Sequence, residues 1–138
     1  MAERYPVLWI GRVAMVTLPA EIDITIADAV REDLLSVINK GATLLVADMS
    51  ATTFCDSSGV SALVRTYRRA MANACDVRLV ISSPAVARVL SLTGVDRLMP
   101  VFGSIAASLA GTPPEPGPRS DPPDSAIAPA DSDVPDLP

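Results

Sequence analysis

Apolar residues come in evenly spaced blocks through the first 110 positions of the chain, and then the blocks stop. Tyr5 to Ile10 is a short apolar run, Gly11-Arg12 is a turn signal, and Val13 to Leu18 is a second run rich in β-branched residues. Two such runs around a short turn predict a hairpin, whose second strand ends at Pro19. Ile26, Val30, Leu34, Val37 and Ile38 then recur at helical spacing, with Arg31, Glu32, Asp33 and Lys40 between or after them. The pattern predicts an amphipathic helix of about four turns. Thr25 or Asp23 is placed to cap its start. Asn39, Lys40 and Gly41 carry stop signals, the glycine offering a left-handed terminus.

Thr43 to Ala47 is nearly all apolar, as a central strand covered on both faces should be. Asp48 to Asp56 reads as a connection holding Phe54. A second helix follows, with Val60, Leu63, Val64, Tyr67 and Met71 on its apolar stripe, ending near Asn73. Val77 to Ile81 is another buried strand. Ser83 suits an N-cap and Pro84 a first helical position, so a third helix starts there, with Val86, Val89, Leu90 and Leu92 inward and Gly94 as its stop. Leu98 to Phe102 reads as a last strand and Ser104 to Leu109 as a last short helix. The predicted order is ββαβαβαβα: an α/β chain with a mixed β-sheet of about five strands and helices packed on it.

Composition divides the chain in two. Nine of the thirteen prolines fall in residues 111–138, with six acids against the single base Arg119. The net charge of −5 therefore belongs to this tail, because residues 1–110 hold ten acids and ten bases. So little apolar content cannot offset the entropy of ordering, and the tail is expected to be a disordered acidic, Pro/Asp-rich segment. Residues 1–110 suffice for one modest core. No basic run is interleaved with the five aromatics, so nucleic-acid binding has no support. No apolar run approaches the roughly 18 residues of a membrane span. Arg4 is followed by only a short apolar strand, which is not a signal-peptide layout; the cytoplasm is the expected compartment. Histidine is absent, removing the commonest acid-base group and metal ligand. No cofactor and no metal are expected.

The segment with chemical content is Phe54-Cys55-Asp56-Ser57-Ser58-Gly59, between a buried strand and a helix. In an open α/β sheet, strand-to-helix turns are where sites are built. The first N–H groups of a helix lack internal partners and carry the positive end of its dipole, so a phosphate on Ser57 is expected to find donors there. Gly59 allows close backbone approach. Asp, Ser and Gly are also ordinary capping and turn residues, and spacing alone favours that plainer reading. A serine nucleophile elbow needs Gly-x-Ser-x-Gly and a histidine, and neither is present. The lysine and glycine spacing of a phosphate-binding loop are missing too. The chain is therefore expected not to be an enzyme.

The chain resembles the STAS domain family, the sulfate-transporter and anti-sigma factor antagonist domains. Ala20-Glu21-Ile22-Asp23 is similar to the family's Gly-Glu-Leu-Asp turn. Phe54-Cys55-Asp56-Ser57-Ser58-Gly59 is similar to its Asp-Ser-Ser/Thr-Gly phosphorylation motif. Ser83-Pro84-Ala85-Val86 through Leu90-Ser91-Leu92-Thr93-Gly94 is similar to its third helix and glycine stop. The resemblance covers residues 5–110 and departs from the pattern at Ala20, where the family has glycine. An alanine forced to positive φ there would cost about 1 kcal/mol.

The resemblance implies an anti-sigma factor antagonist. Such a protein binds an anti-sigma factor, often a serine-protein kinase, and so frees a sigma factor. Phosphorylation of the serine after the motif's aspartate, Ser57, releases the partner, and a phosphatase restores the antagonist. Asp23, Asp56, Ser57, Ser58 and Gly59 would then form the partner-binding surface. The family also includes soluble subunits that regulate membrane transporters or lipid-trafficking complexes, which is the alternative it leaves open. Arg65, Arg68 and Arg69 read either as a solvated helix face or as a basic patch that pairs acids on the partner. A helix of about sixteen residues, roughly 24 Å long, separates Cys55 from Cys75, whereas bridged Cα atoms lie within about 7 Å. Both are therefore expected to be buried structural thiols.

Overall fold

A computed structural model of the chain describes residues 4–110. The tail, 111–138, lies outside the described residues. In chain order the elements are β1 (Val7–Ile10), β2 (Val13–Thr17), β3 (Glu21–Ile22), α1 (Ala27–Asn39), β4 (Leu44–Met49), β5 (Phe54–Cys55), α2 (Ser57–Ala72), β6 (Asp76–Ile81), α3 (Pro84–Thr93), α4 (Val95–Leu98), β7 (Val101–Phe102) and α5 (Ile105–Leu109).

The main sheet has five strands in the order β1-β2-β4-β6-β7. The β1–β2 pair is the hairpin read from the sequence, antiparallel with Val7 opposite Val16. The remaining pairs are parallel. Alternation along the strands gives the sheet two unequal sides. Ala14, Val16, Leu45, Ala47, Leu79 and Ile81 enter the larger core, with Val30 and Leu34 of α1, Leu63 of α2, Val86 and Leu90 of α3, and Val95 of α4. Met15, Val46 and Val80 face the other way, where Ile105 of α5 packs on them.

Three short elements escaped the periodicity: β3, β5 and α4. A strand of two residues offers no period to read. Leu98, expected in the last strand, ends α4, and the strand is confined to Val101–Phe102. Gly94 does end α3, at φ +81, and Ser83 Oγ accepts from the Val86 amide at 3.3 Å as a cap should. Neither Thr25 nor Asp23 caps α1 through its side chain. Ile26 holds that position, and the Asp23 carbonyl accepts from Ile26 and Ala27 instead.

The inward face of α2 also differs from the expected stripe. Gly59, Ala62, Leu63, Thr66 and Ala70 are buried, whereas Met71 is half exposed and Val60, Val64 and Tyr67 are only partly covered. The helix turns its small residues to the core, which lets its backbone come closer than a stripe of valines would. Leu92 is exposed rather than inward. It lies two residues past buried Leu90, about 200° round the helix.

Candidate functional site

Two segments distant in sequence are tied together at one end of the sheet. β3 and β5 form a separate parallel pair, Glu21 opposite Phe54 and Ile22 opposite Cys55. The loop before β5 is fastened to the residues after β2. The Thr52 hydroxyl donates to the Pro19 carbonyl at 2.7 Å, and the Thr53 amide donates to the Ala20 carbonyl at 2.8 Å. Thr52 is fully buried, so its hydroxyl must find a partner inside the protein. Ala20 does not adopt positive φ, so alanine carries no backbone penalty in this turn.

Asp23 follows β3 directly and Asp56 follows β5, so the pairing sets the two acids side by side. Asp23 Oδ1 accepts from both the amide and the hydroxyl of Thr25, at 2.9 and 2.5 Å. The hydroxyl bond is the main reason its carboxyl is held below the ordinary aspartate value. Asp56 is the N-cap of α2. Its carboxylate accepts from the amides of Ser58 at 2.9 Å and Gly59 at 3.3 Å.

Ser57 is the first residue of α2 and is exposed. The expectation that a phosphate there finds free helix donors needs correction, because the Asp56 side chain already takes the Ser58 and Gly59 amides. A phosphate on Ser57 meets a carboxylate held at the helix terminus rather than a vacant anion site. Ser58 is half-buried and Gly59 buried. A Cβ on Gly59 would lie 2.5 Å from Cys55 Sγ and 2.9 Å from Ile22 Cγ2, so only glycine fits where α2 crosses the β3–β5 pair.

Cys55 beneath this crossing is buried, and burial together with the Asp56 charge pushes its thiol up to about 11. Cys75 is buried and shifted upward as well, and both thiols are free. No described group of histidine, cysteine or acidic side chains could hold a metal ion. No described helix is long and apolar enough to cross a membrane.

Arg65, Arg68 and Arg69 are all exposed on α2. Arg69 donates to Asn39 Oδ1 of α1 at 3.0 Å; Arg65 and Arg68 form no ion pair among the described residues. Arg65 also lines a groove of about 340 Å³ between the starts of α1 and α2. Ala27 and Ala62 line it too, together with Ile24, Asp28, Arg31, Ser58 and Ser61. Sequence reasoning missed this groove, and with it Arg31, Ser61 and Ile24, which is 76% exposed; it also missed the exposure of Phe54, 49%, outside the groove. Ser61 had a readable signal, since it lies one helical turn past Ser57. Ile24 and Phe54 had none, because each looks like a core residue until β3 and β5 are paired.

The sequence profile of the STAS domain matches residues 6–108. Over 99 residues the chain is 28% identical to the anti-sigma-F factor antagonist RsfB of Mycobacterium tuberculosis, covering 72% of this chain and 80% of that protein. An anti-sigma factor antagonist from Mycobacterium paratuberculosis superposes with a TM-score of 0.71 at 28% identity, over 77% of this chain and 90% of that one. The phosphorylated form of the Bacillus cell fate determinant SpoIIAA shares the fold, with a TM-score of 0.57 at 24% identity, over 72% of this chain and 92% of that one.

Proposed function

The chain belongs to the STAS domain family, and from that premise we propose that it is an anti-sigma factor antagonist switched off by phosphorylation of Ser57. The single observation that carries the reading is the exposure of Ser57 at the first position of α2, beside the Asp23 turn and directly after Asp56. The similarity to proteins named anti-sigma factor antagonists supports the same reading.

In this reading the partner is an anti-sigma factor that is also a serine-protein kinase. It docks over Ser57 and Ser58, with Asp23 and Asp56 flanking them and Gly59 holding the helix start in place. Arg65, Arg68 and Arg69 extend the contact along α2 and attract acids of the partner. Kinase transfer adds close to two negative charges to Ser57. The new dianion is repelled by the two carboxylates, and it is costly to bury in an interface shaped for a hydroxyl. A coupling of roughly 3 kcal/mol lowers affinity more than about a hundredfold. The protein need not unfold to release its partner, because the charge is added at an exposed position. A phosphatase acting on phospho-Ser57 resets the switch.

The test is incubation with ATP and a cognate anti-sigma kinase, with phosphate incorporation and partner affinity both measured. Uptake should be lost in Ser57→Ala, and Ser57→Asp should lose partner binding while keeping the native circular dichroism spectrum. Uptake undiminished in Ser57→Ala, or full binding by Ser57→Asp, defeats the proposal.

A further inference from the structure

α2 is one-sided in charge as well as in burial. Its 16 residues include Arg65, Arg68 and Arg69 and no acid. Spacings of three and four residues set these arginines on one exposed face. Arg69 donates to Asn39 Oδ1, whereas Arg65 and Arg68 have neither a hydrogen bond nor an ion pair among the described residues. The acids of neighbouring α1 are engaged elsewhere, Asp28 with Arg31, and Glu32 and Asp33 with Arg4. Asp23 and Asp56 stand at the start of α2. Arg65 and Arg69 lie 9 and 13 residues past Asp56. That is roughly 14 to 20 Å along the helix, beyond a screening length of about 8 Å. Residues 111–138 carry the opposite imbalance, six acids against Arg119.

We propose that Asp131, Asp133 and Asp136 of this chain engage the arginine face of α2 and compete there with an acidic surface of the protein partner. Reach and charge select these three acids. α5 packs on the far side of the sheet from α2, against β6 and β7. The chain leaving α5 has to pass the β7 edge and cross two layer spacings of about 10 Å each. Glu115 is 5 residues past Ala110 and spans at most about 18 Å, which is too short. Arg119 offsets Asp121, and Asp124 stands alone. Asp131 is 21 residues past Ala110, a span of up to about 70 Å. Asp131 to Asp136 packs three carboxylates into six positions, against three guanidinium groups in five on α2. Each exposed pair is weak by itself. Covalent attachment raises the local concentration of the acids to the order of millimolar, so that weak pairs are populated. Asp23 and Asp56 repel the same acids from the start of the helix, which leaves Ser57 uncovered. The competition rests on the reading of α2 as the partner's docking face; the contact within the chain does not.

The contact is read in the full-length chain with no partner present. A nitroxide is attached at Ser132→Cys, the native thiols being buried. At low salt the amide signals from Arg65 to Arg69 should lose about half their intensity or more, and they should recover at about 0.5 M salt, where exposed charges are screened. Arg65→Gln with Arg68→Gln and Arg69→Gln should abolish the loss while the circular dichroism spectrum stays native. If that variant impairs folding, Asp131→Asn with Asp133→Asn and Asp136→Asn, all outside the folded domain, should abolish it equally. Unbroadened α2 signals at low salt overturn the proposal, and so does broadening that a folded variant leaves in place. With the anti-sigma kinase added, the Asp→Asn variant should bind about threefold more tightly or better at low salt. Equal affinities overturn the competition. Phosphate uptake by Ser57 is measured separately, so a failed switch and a failed contact are told apart.

Discussion

The Asp56 amide donates to the Ile22 carbonyl at 3.2 Å. This bond extends the β3–β5 pair by one step, and the next residues on the two sides are Asp23 and Ser57. One backbone hydrogen bond thus brings the acid of the first turn to the serine of the second. The β3–β5 pair acts as a clamp that fixes where the two acids stand relative to the hydroxyl.

Gly59 should be the least replaceable residue of that clamp. An added Cβ meets Cys55 Sγ and Ile22 Cγ2 closer than van der Waals contact allows. Gly59→Ala is expected to cost about 1–3 kcal/mol, read as a lowered thermal midpoint. Combining it with Cys55→Ala removes the nearer clash and leaves the Ile22 one, so the double variant should lose less than the sum of the singles. Strict additivity would mean the three groups do not touch.

Asp56 has two separable roles, cap and charge. Asp56→Ala removes the acceptor for the Ser58 and Gly59 amides and should destabilise the fold by about 1 kcal/mol. Asp56→Asn keeps an acceptor oxygen and should unfold close to the native midpoint. In the phosphorylated protein it also removes one of the charges that repel the phosphate. Phosphorylated Asp56→Asn should therefore retain more partner affinity than phosphorylated native protein, by titration calorimetry. Equal affinities would assign the repulsion elsewhere.

Periodicity revealed the long elements because burial on one face imposes a repeat. α1 and α3 follow from apolar residues that recur every three to four positions, and the β1–β2 hairpin, β4 and β6 from short apolar runs bounded by turn residues. The α2 stripe misled, because valines and a methionine look more like core than glycine and alanine do. The packing that decides the matter is the approach of α2 to β3 and β5, and no local pattern records it. Asp23 and Asp56 were legible only as members of a motif. Their adjacency depends on a two-residue parallel pair and on a loop fastened by Thr52, both long-range facts. The groove between α1 and α2 was hidden for the same reason.

Thr52 tests that fastening. Its buried hydroxyl donates to the Pro19 carbonyl, and valine keeps the shape but not the bond. Thr52→Val should cost about 1–3 kcal/mol, because the carbonyl is left without that donor. The effect should be local as well. Amide exchange at Thr53 and Phe54, whose N–H groups donate to Ala20, should quicken more than exchange in β4 or β6. Uniform acceleration would show that the loop opens only with the whole domain.

The buried thiols predict how stability responds to alkali. Cys55 titrates at about 11 in the folded protein, against an ordinary value of 9.0, because burial and then the Asp56 charge disfavour its thiolate. Cys75 is shifted the same way by burial and by Asp76. An acid whose folded pKa is raised binds its proton more tightly in the native state. Its contribution is complete below about pH 9 and is lost as pH rises toward 11. Denaturant midpoints should therefore hold steady up to about pH 9 and fall between 9 and 11. Cys55→Ala should make that fall shallower, leaving the share due to Cys75. Both thiols should also resist iodoacetamide at pH 8 in the native protein and react once it is unfolded, since the thiolate is the nucleophile. Rapid native-state labelling of Cys55 would mean that the start of α2 opens readily and that the thiol is not held beneath it.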